Sequence, residues 1–464
     1  MNESRCFKNA ALKVVLEAIN AVPIGTAFLE DKEGKLVGIF TDGDFRRLLL
    51  NGRELQGNLK DSDFGDFVYA HEGDNVKDLL SKTNEKVRLI PIVDKDFKLI
   101  DYFRYQHETH FLPVAEPSLL GKELEYVTDA VLSTWISSRG KYIDRFESEF
   151  SSFVQCKYGV CTSNGTTALH LALVALNIGP GDEVIVPDLT FAATINAVLY
   201  VGARPVIVDV ERDRWTISPS EIRKAITDKT KAIIPVHVYG QPCDMDSIME
   251  IANEFDLKVI EDCAEAHGAS INGKKVGSFG DIGIFSFFGN KIITTGEGGM
   301  CVSNSSEIDE RMRMLRDHGM DKNKRYWHQE VGFNYRMTNI QAAIGCAQLE
   351  RIDEIITNHK RIEANYREAL KSIPNLEWQK DYDGVERVIW LVCVLDNDRE
   401  KTLKKLANAH IDVRPFFYCL SDMPIYKDFL FSNKEAKYLS SRGINLPTVD
   451  NIDFERIKSV FQSN

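Results

Sequence analysis

The stretch SFFGNKIITTGEGG, residues 286–299, places a single lysine, Lys291, between two segments that have the pattern of strands. The apolar run DIGIFSF precedes it and GGMCVS follows it, with Gly289 before the lysine and three glycines after it. A lysine confined between a strand end and a glycine turn favours a Schiff-base lysine over a solvated charge. For a lone lysine an ordinary exposed turn residue would be the better interpretation, so the prediction depends on the rest of the chain.

Two upstream segments supply groups that such a lysine would need. KVIEDCAEAHGA, residues 258–269, runs from apolar residues into Asp262 at a predicted strand end, where open α/β sheets place ligand-binding groups, although an aspartate there can also cap a helix. VCTSNGTT, residues 160–167, leads through a glycine turn into an apolar helix, whose free N–H groups suit a phosphate, although any capped helix has them. A phosphate cradle, an acid at a strand end and a loop lysine, in that order, predict a pyridoxal phosphate (PLP) site.

Composition limits the classes of function. The chain has 464 residues, enough for about two to four domains, with 44% hydrophobic and 27% charged residues as in ordinary soluble proteins. Its formal charge of −12 argues against nucleic-acid or membrane-surface binding, and no segment resembles a signal peptide or a bilayer-spanning helix. Nine cysteines without paired spacing fit reduced thiols, so we expect a cytoplasmic enzyme, and without a CxxC or HExxH motif we expect no metal site.

The chain also resembles a known family over about residues 112–464. The segments that carry the resemblance are WISSRGKYIDRFE, SNGTTALHLAL, GDEVIVPDLTFAATINAVLYVGARPVIVDV, PVHVYGQPCDMD, EDCAEAHGA, SFFGNKIITTGEGG and GFNYRMTNIQAAIGCAQL. As a set they are similar to the sugar aminotransferases of the DegT/DnrJ/EryC1/StrS type. The resemblance implies the aspartate-aminotransferase-like α/β fold (PLP fold type I), with a large domain at residues 119–350 and a smaller α+β domain at residues 351–464.

Alternating apolar and helical stretches agree with that fold. We expect strands near residues 158–162, 183–187, 204–210, 231–238, 257–262, 281–287 and 298–303, which predicts a mainly parallel seven-stranded sheet with helices on both faces. One long helix should carry AQLERIDEIITNHKRIEANYREAL, residues 347–370.

The resemblance implies roles for the cofactor residues. Asp262 would pair with the pyridine nitrogen, and Lys291 would form the imine and then carry a proton while the cofactor alternates between PLP and pyridoxamine phosphate. Further contacts are implied at Gly165, Thr166 and Ser286 for the phosphate, at Phe191 for the ring face, and at Asn334 for the phosphate of the partner in a homodimer with shared active sites. Without the resemblance, Phe191 would be interpreted as a core aromatic residue.

Glu265 departs from the glutamine or histidine that many members of the family carry near the cofactor. A carboxylate there would repel the negative phenolic oxygen of PLP unless it is protonated or turned away. Glu265 is therefore grouped with the cofactor residues, and its role is left open.

Substrate residues are implied by three segments. They are Trp135, Ser137 and Arg139 in the first segment, Lys322, Arg325, Tyr326 and His328 in KNKRYWH, and Arg414 in HIDVRPFFY. Cations and aromatic rings suit a diphosphate and a stacked base, while a solvated loop and, for Arg414, a structural salt bridge are the alternatives.

Within the family, TWISSRGKYI, FSFFGNK and RMLRDHGMDKNKRYWH are most similar to the branch that aminates GDP-4-keto-6-deoxymannose at C4. We therefore expect amino transfer from L-glutamate to this nucleotide-linked keto-sugar, giving GDP-perosamine for surface polysaccharide such as O-antigen. The same chemistry on a UDP- or dTDP-linked keto-sugar and a non-catalytic regulator that senses cofactor and nucleotide are the alternatives. Lys291 argues against a dehydratase branch, in which a histidine replaces the lysine.

The first 110 residues are organised differently. Residues 27–41 have the pattern of two strands around a DKEG turn, followed by the helix DGDFRRLLL, and KVRLIPIVDKDFKLIDYF is a looser copy about 65 residues later. This repeat resembles a pair of cystathionine-β-synthase (CBS) motifs, which implies an adenine-nucleotide site at Thr41 and Asp44, where the second copy has Tyr102 and Tyr105 nearby instead. A packing or dimerisation role without a ligand is the alternative, and residues 111–118 should link this domain, residues 1–110, to the catalytic part.

Overall fold

A computed structural model describes residues 4–20, 25–83, 87, 89–104 and 111–462. Backbone contacts divide the chain into two compact units, Met1–His110 and Phe111–Asn464. Tyr105 and residues 106–110 lie outside the described residues.

The N-terminal unit contains two β-α-β-β halves. Its elements in chain order are β1 (Arg5–Phe7), α1 (Leu12–Asn20), β2 (Thr26–Glu30), β3 (Leu36–Thr41), α2 (Asp42–Leu50), β4 (Ala70–His71), α3 (Val76–Ser81), β5 (Leu89–Val93) and β6 (Leu99–Arg104). In each half the first strand pairs parallel with the second and the second pairs antiparallel with the third, giving the sheets β1-β2-β3 and β4-β5-β6. The predicted internal repeat is therefore present in the backbone.

The turns between the paired strands of the two halves are built in the same way. The side chain of Asp31 accepts hydrogen bonds from the N–H groups of residues 33 and 35, and Asp94 accepts them from residues 96 and 98, all at 2.9 Å. Both turns contain a residue with positive φ, which is Gly34 in the first half and Phe97 in the second. An aspartate whose side chain accepts a hydrogen bond from the backbone N–H two residues on stabilises a tight turn. The DKEG and DKDF sequences therefore each specify a turn of this kind.

The second unit alternates strands and helices. Its elements are α4 (Glu123–Leu132), α5 (Lys141–Phe153), β7 (Tyr158–Thr162), α6 (Gly165–Ala175), β8 (Glu183–Pro187), α7 (Ala193–Tyr200), β9 (Arg204–Val208), α8 (Pro219–Ala225), β10 (Thr230–Ile233), α9 (Met245–Phe255), β11 (Lys258–Asp262), β12 (Ser270–Ile271), β13 (Lys274–Lys275), β14 (Ile282–Ser286), β15 (Gly299–Ser303), α10 (Ser306–Arg316), α11 (Asn339–Leu349), α12 (Ile352–Ala369), β16 (Leu376–Trp378), β17 (Val385–Glu386), β18 (Val392–Asp396), α13 (Arg399–Asn408), β19 (Arg414–Pro415), α14 (Lys434–Arg442), β20 (Gly443–Leu446) and α15 (Phe454–Gln462).

Over residues 111–462, the largest sheet has the seven predicted strands in the order β7-β15-β14-β11-β10-β8-β9. Strand β15 runs antiparallel to both of its neighbours and the other pairs are parallel, so the sheet is mixed as well as mainly parallel. Val184 and Val186 of β8 pack in one apolar cluster with α6 and α7, whereas Ile185 packs in another with α8 and α9. Both faces of the sheet are therefore covered.

The prediction of one long helix at residues 347–370 is wrong. The chain forms two helices there, α11 and α12, with a break at Glu350 and Arg351. The break contains neither glycine nor proline. Instead, the Arg351 guanidinium donates a hydrogen bond to the backbone oxygen of Ser118 at 3.2 Å. A tertiary contact thus accompanies a break between helices that helix propensity alone does not predict.

After α12 the chain forms an antiparallel sheet in the order β16-β18-β20-β19. Residues 112–114 are bonded to the same region, since Leu112 exchanges hydrogen bonds with the backbone of residues 410 and 412 and Val114 accepts one from Thr448. Within the described part of the chain, no helix is both long and apolar enough to cross a membrane.

Candidate active site

The carboxyl ends of two neighbouring parallel strands bring the acid and the lysine to one edge of the sheet. Asp262 is the last residue of β11, and β14, which pairs with β11, leads into the turn that carries Lys291. The buried carboxylate of Asp262 accepts hydrogen bonds from the Thr194 hydroxyl at 2.8 Å and the Ala264 N–H at 3.1 Å. Burial raises the pKa of Asp262, while these hydrogen bonds and the nearby Lys291 limit the rise.

The amine of Lys291 lies between a carboxylate and an aromatic ring. Its Nζ is 3.6 Å from Glu265 Oε1 and 3.9 Å from the centre of the Trp390 ring. The other oxygen of Glu265 accepts a hydrogen bond from the Tyr239 N–H at 2.7 Å, which fixes the carboxylate. The amine is therefore held by groups from two segments of the chain, and a third segment fixes the carboxylate.

Burial moves both members of the Lys291–Glu265 pair towards their neutral forms. It raises the pKa of Glu265 to about 7 and lowers the pKa of Lys291, and the charge of each partner opposes the shift of the other. The two pKa values are thereby brought closer together. A proton can then move between the two groups at a smaller free-energy cost than in water.

The start of α6 lies beside Ser286. Asn164 caps the helix by accepting a hydrogen bond from the Thr167 N–H, and helix geometry leaves the N–H groups of Gly165 and Thr166 without partners inside the helix. A Cβ on Gly165 would lie 2.8 Å from the Cβ of Ser286, so only glycine allows this close approach. The three predicted phosphate residues therefore meet at one place.

Phe191 and Asn334 are both exposed. Phe191 follows β8 and its ring centre is 5.9 Å from that of Phe417. The Asn334 side chain accepts a hydrogen bond from Arg336 at 3.0 Å, and the carbonyl of the next residue, Tyr335, accepts one from the Ser163 N–H. The backbone next to Asn334 thus runs beside the turn that leads into α6.

The predicted substrate residues fall into separate groups. Trp135 and Arg139 line a cavity of about 500 Å³ together with Arg336, and the adjacent Ser137 is exposed. Among the described residues Arg139 has no ion-pair partner, whereas Arg336 is paired with Asp317 at 2.8 Å. Arg139 is thus a cation that is free to meet an anion.

The second group lies in an exposed loop. Lys322, Arg325, Tyr326 and His328 are all exposed, the Arg325 guanidinium lies 4.8 Å from the Tyr326 ring centre, and His328 Nδ1 is 2.8 Å from the His318 carbonyl oxygen. Arg414 is also exposed and pairs with Asp412 at 3.1 Å, which agrees with its alternative structural interpretation.

In the N-terminal unit, Thr41 and Asp44 bond to each other. Thr41 caps α2, its hydroxyl donates to Asp44 Oδ2 at 2.6 Å, and its own N–H donates to the same oxygen at 2.9 Å. This arrangement is a capping box, which accounts for both residues without a ligand.

Sequence reasoning missed Trp390, Tyr239 and Thr194. Trp390 lies in the apolar run VIWLV, which is typical of a core strand, and Tyr239 lies in VHVYGQ with no sign that its N–H bonds to a carboxylate. Thr194 is three residues after Phe191, so the PDLTFAAT segment offered the only usable signal.

A buried cluster of His237, Glu261 and Cys263 places three groups that commonly bind metals within 4.8 Å of one another. The carboxylate of Glu261, however, accepts hydrogen bonds from the N–H groups of residues 277, 279 and 280 at 2.7–2.8 Å. Its oxygens are thus used to fix the turn before β14, so we interpret this cluster as structural.

Comparisons with known proteins agree with this geometry. The model of the DegT/DnrJ/EryC1/StrS aminotransferase family matches residues 117–463. The GDP-perosamine synthase of Escherichia coli O157:H7 is 46% identical over 356 residues, which cover 76% of this chain and 97% of that protein. The GDP-perosamine synthase of Caulobacter vibrioides is 48% identical over 344 residues, which cover 73% of this chain and 93% of that protein. The structure of Spr1654 from Streptococcus pneumoniae in its PLP form has a TM-score of 0.71 and 27% identity, over 76% of this chain and 99% of that one.

The donor set fits PLP. The primary amine of Lys291, whose side chain is only 11% exposed, suits its aldehyde, the buried carboxylate of Asp262 suits its ring nitrogen, and the start of α6 beside Ser286 suits its phosphate. PLP is therefore the cofactor for which this site is built.

Proposed function

The chain belongs to the DegT/DnrJ/EryC1/StrS aminotransferase family, and from this premise we propose that it transfers the amino group of L-glutamate to C4 of GDP-4-keto-6-deoxymannose, giving GDP-perosamine. The identity to the two GDP-perosamine synthases supports the GDP sugar, because it extends over more than nine-tenths of each of them. The observation that carries the chemistry is the Lys291 amine, on a side chain only 11% exposed, beside Glu265 and at the same edge of the sheet as Asp262. A role for the product in surface polysaccharide, such as O-antigen, is part of the proposal.

We assign the proton transfers to side chains of this chain. PLP, when bound, supplies a ring that withdraws electrons from the carbon that loses its proton. Asp262 keeps a proton on the ring nitrogen, since a carboxylate there favours the charged form of the ring. Lys291 Nζ removes a proton from glutamate as a base and later returns one as an acid. The charge of Glu265 opposes the fall in the pKa of Lys291 that burial causes, so the amine can perform both tasks.

The phosphate contacts are proposed at the N–H groups of Gly165 and Thr166 and at the hydroxyl of Ser286, with Phe191 against the cofactor ring. These contacts are supported by the close approach of Gly165, at the start of α6, to Ser286, and by the exposed position of Phe191 beside Phe417.

We propose that the active unit is a homodimer in which Asn334 serves the partner's site. The support is a set of exposed apolar side chains in the catalytic unit, among them Val331 at 87% and Leu132 at 78% exposure, which a second copy would cover. Leu132→Glu should shift the protein to a monomer in sedimentation velocity, and an unchanged dimer would exclude this face from the contact.

The nucleotide-sugar contacts are proposed at Trp135, Ser137 and Arg139, at Lys322, Arg325, Tyr326 and His328, and at Arg414. Arg139 is the best supported, because it lines a cavity of about 500 Å³ and has no ion-pair partner within the described part of the chain. Arg139→Ala should raise the KM for the sugar nucleotide and leave the reaction with glutamate alone unchanged, which separates substrate binding from cofactor chemistry.

The test of the proposed reaction is a substrate screen with the full chain and L-glutamate, followed by the formation of 2-oxoglutarate. GDP-4-keto-6-deoxymannose, UDP-linked and dTDP-linked 4-keto-6-deoxy sugars are compared at equal concentration. Preference for the GDP sugar supports the proposal. Preference for another nucleotide keeps the chemistry and changes the substrate, and no turnover despite bound PLP favours the regulator.

We further propose that residues 1–110 form a CBS-pair-like domain that binds an adenine nucleotide at Thr41 and Asp44, that residues 111–118 are a linker, and that the catalytic part divides at residue 350. The repeated β-α-β-β halves support the first point. Calorimetric titration of the full chain with AMP and ATP tests it, since Asp44→Asn should abolish any binding.

A cytoplasmic location is supported by nine free, buried thiols, which stay reduced there.

A further inference from the structure

Trp390 makes two contacts with the lysine turn. The Lys291 amine lies over its ring face at 3.9 Å from the centre, and its indole N–H donates a hydrogen bond to the carbonyl of Asn290 at 2.7 Å. The residue is only 6% exposed and precedes β18, a hundred residues after Asn290 in the sequence. One side chain thus contacts both the reactive atom and the backbone that carries it.

Trp390 is itself held in a layer of aromatic rings. Its ring is nearly parallel to that of Tyr239, with centres 6.1 Å apart, and Tyr239 is nearly parallel to Phe417 at 5.3 Å. The Val388 N–H also donates to the carbonyl of Gly240, where an added Cβ would lie 2.1 Å from the Val388 oxygen. The position of the Trp390 ring is therefore fixed independently of Lys291.

We propose that Trp390 is a positioning residue for Lys291, whose ring face holds the amine next to Glu265 and whose indole N–H holds the turn that carries the lysine. The proposal rests on the proposed function of Lys291 as the amine that captures PLP. The negative face of an aromatic ring attracts an ammonium, most strongly where water is excluded, and attracts a neutral amine much less.

The other groups that face the amine are Glu265, Asp262 and His267. The two carboxylates favour the ammonium, while burial favours the neutral amine. His267 is fully buried and its pKa is lowered to about 3, mainly by burial, so it contributes no charge at working pH. Like His267, Trp390 is uncharged, so its removal changes the protonation equilibrium of Lys291 without adding or removing a formal charge.

The experiment measures the pKa of the Lys291 amine in the full-length chain freed of PLP. Amines are labelled with a limiting amount of acetic anhydride from pH 6 to 11, and mass spectrometry quantifies the peptide that contains Lys291. Trp390→Leu removes the ring face and the N–H, and Trp390→Phe removes the N–H but keeps a ring. Trp378→Leu is the matched control, because Trp378 also lies under a cation, Arg367 at 5.1 Å, away from the lysine turn.

We expect the pKa of Lys291 to fall by about one unit in Trp390→Leu, a tenfold change in the protonation equilibrium, and to fall less in Trp390→Phe. Trp378→Leu should leave it unchanged. If Trp390 only excluded water, its removal would hydrate the ammonium and the pKa would rise, so a rise or an unchanged value in Trp390→Leu overturns the proposal.

If Trp390→Leu does not fold, Trp390→Phe decides the question. Loss of its bond to Asn290 should loosen the turn, so the limiting rate of labelling at high pH should increase, and an unchanged rate with an unchanged pKa contradicts the proposal. The labelling needs neither substrate nor PLP. A chain that proves inactive as an aminotransferase would therefore still report the effect of Trp390.

Discussion

Glu265→Gln is the substitution that tests most directly how the site sets the basicity of its lysine. The change keeps the shape of the side chain, and an amide oxygen can still accept the hydrogen bond from the Tyr239 N–H at 2.7 Å. What it removes is the negative charge 3.6 Å from Lys291 Nζ, which leaves Asp262 as the remaining carboxylate that stabilises the ammonium.

The size of the effect follows from the distance. Two unit charges 3.6 Å apart attract each other by about 4–5 kcal/mol at an effective dielectric constant of about 20. Because the pKa of Glu265 is about 7, the carboxylate is only partly ionised near neutral pH, and the loss there is about half of that value. The pKa of Lys291 should therefore fall by about one to two units.

The assay is the pH dependence of the reaction with glutamate alone, followed by stopped-flow absorbance of the PLP-loaded enzyme. Once the substrate amine has replaced it on the cofactor, Lys291 must be neutral to act as a base, so activity is lost as the pH falls through its pKa. In Glu265→Gln this acid limb should move to lower pH by about one to two units, and the plateau rate should drop because a weaker base removes the proton more slowly.

A matched control is Glu297→Gln, which removes a carboxylate from the same turn at an exposed position and should leave the acid limb where it is. An acid limb that stays in place in Glu265→Gln, or moves to higher pH, would refute the view that Glu265 supports the ammonium form of Lys291. In that case Asp262 would have to account for the basicity of the lysine.

Four other changes have defined outcomes. Lys291→Ala should lower amino transfer by at least about 10²–10⁴-fold while leaving the circular dichroism spectrum unchanged, and full turnover by the folded variant would contradict its role. Glu147→Gln should lower the free energy of unfolding in urea by about 3 kcal/mol, because the buried Glu147 carboxylate accepts hydrogen bonds from Arg313 and Arg316, whereas the exposed Glu149→Gln should change it little. Gly240→Ala should destabilise by more than about 3 kcal/mol, since its φ is +88° and a Cβ would meet the Val388 oxygen, while Gly273→Ala, with φ of +79° and open space, should lose only about 1 kcal/mol. Deletion of residues 1–110 should leave measurable amino transfer, because the proposed cofactor residues all lie in the second unit, and an inactive but folded and PLP-loaded truncation would contradict separable domains.

The central sheet could be predicted from the sequence because its strands are buried on both faces. Each strand is then a short continuous apolar run, and β7 and β8 have the predicted bounds, Tyr158–Thr162 and Glu183–Pro187. The proximity of Asp262 and Lys291 was also predictable, since Asp262 ends one strand of this sheet and Lys291 follows the end of its neighbour.

Contacts between distant segments could not be predicted in this way. The break between α11 and α12 accompanies a bond from Arg351 to Ser118, and the fixing of Glu265 depends on the N–H of Tyr239. Trp390 contacts Lys291 from a segment whose local pattern is that of any core strand. Local propensity and hydrophobic periodicity carry no information about such pairs.

The distance in sequence between the lysine turn and Trp390 has a consequence during protein synthesis. A ribosome that adds about 5–20 residues per second needs roughly 5–20 s to make the hundred residues that separate Asn290 from Trp390. For that time the nascent chain carries Lys291 and Asp262 without the segment that encloses the amine, and translation must continue through β18 and β20 before that segment has its sheet partners. We therefore expect completed chains to bind PLP, whereas fragments that the ribosome releases early should bind little of it.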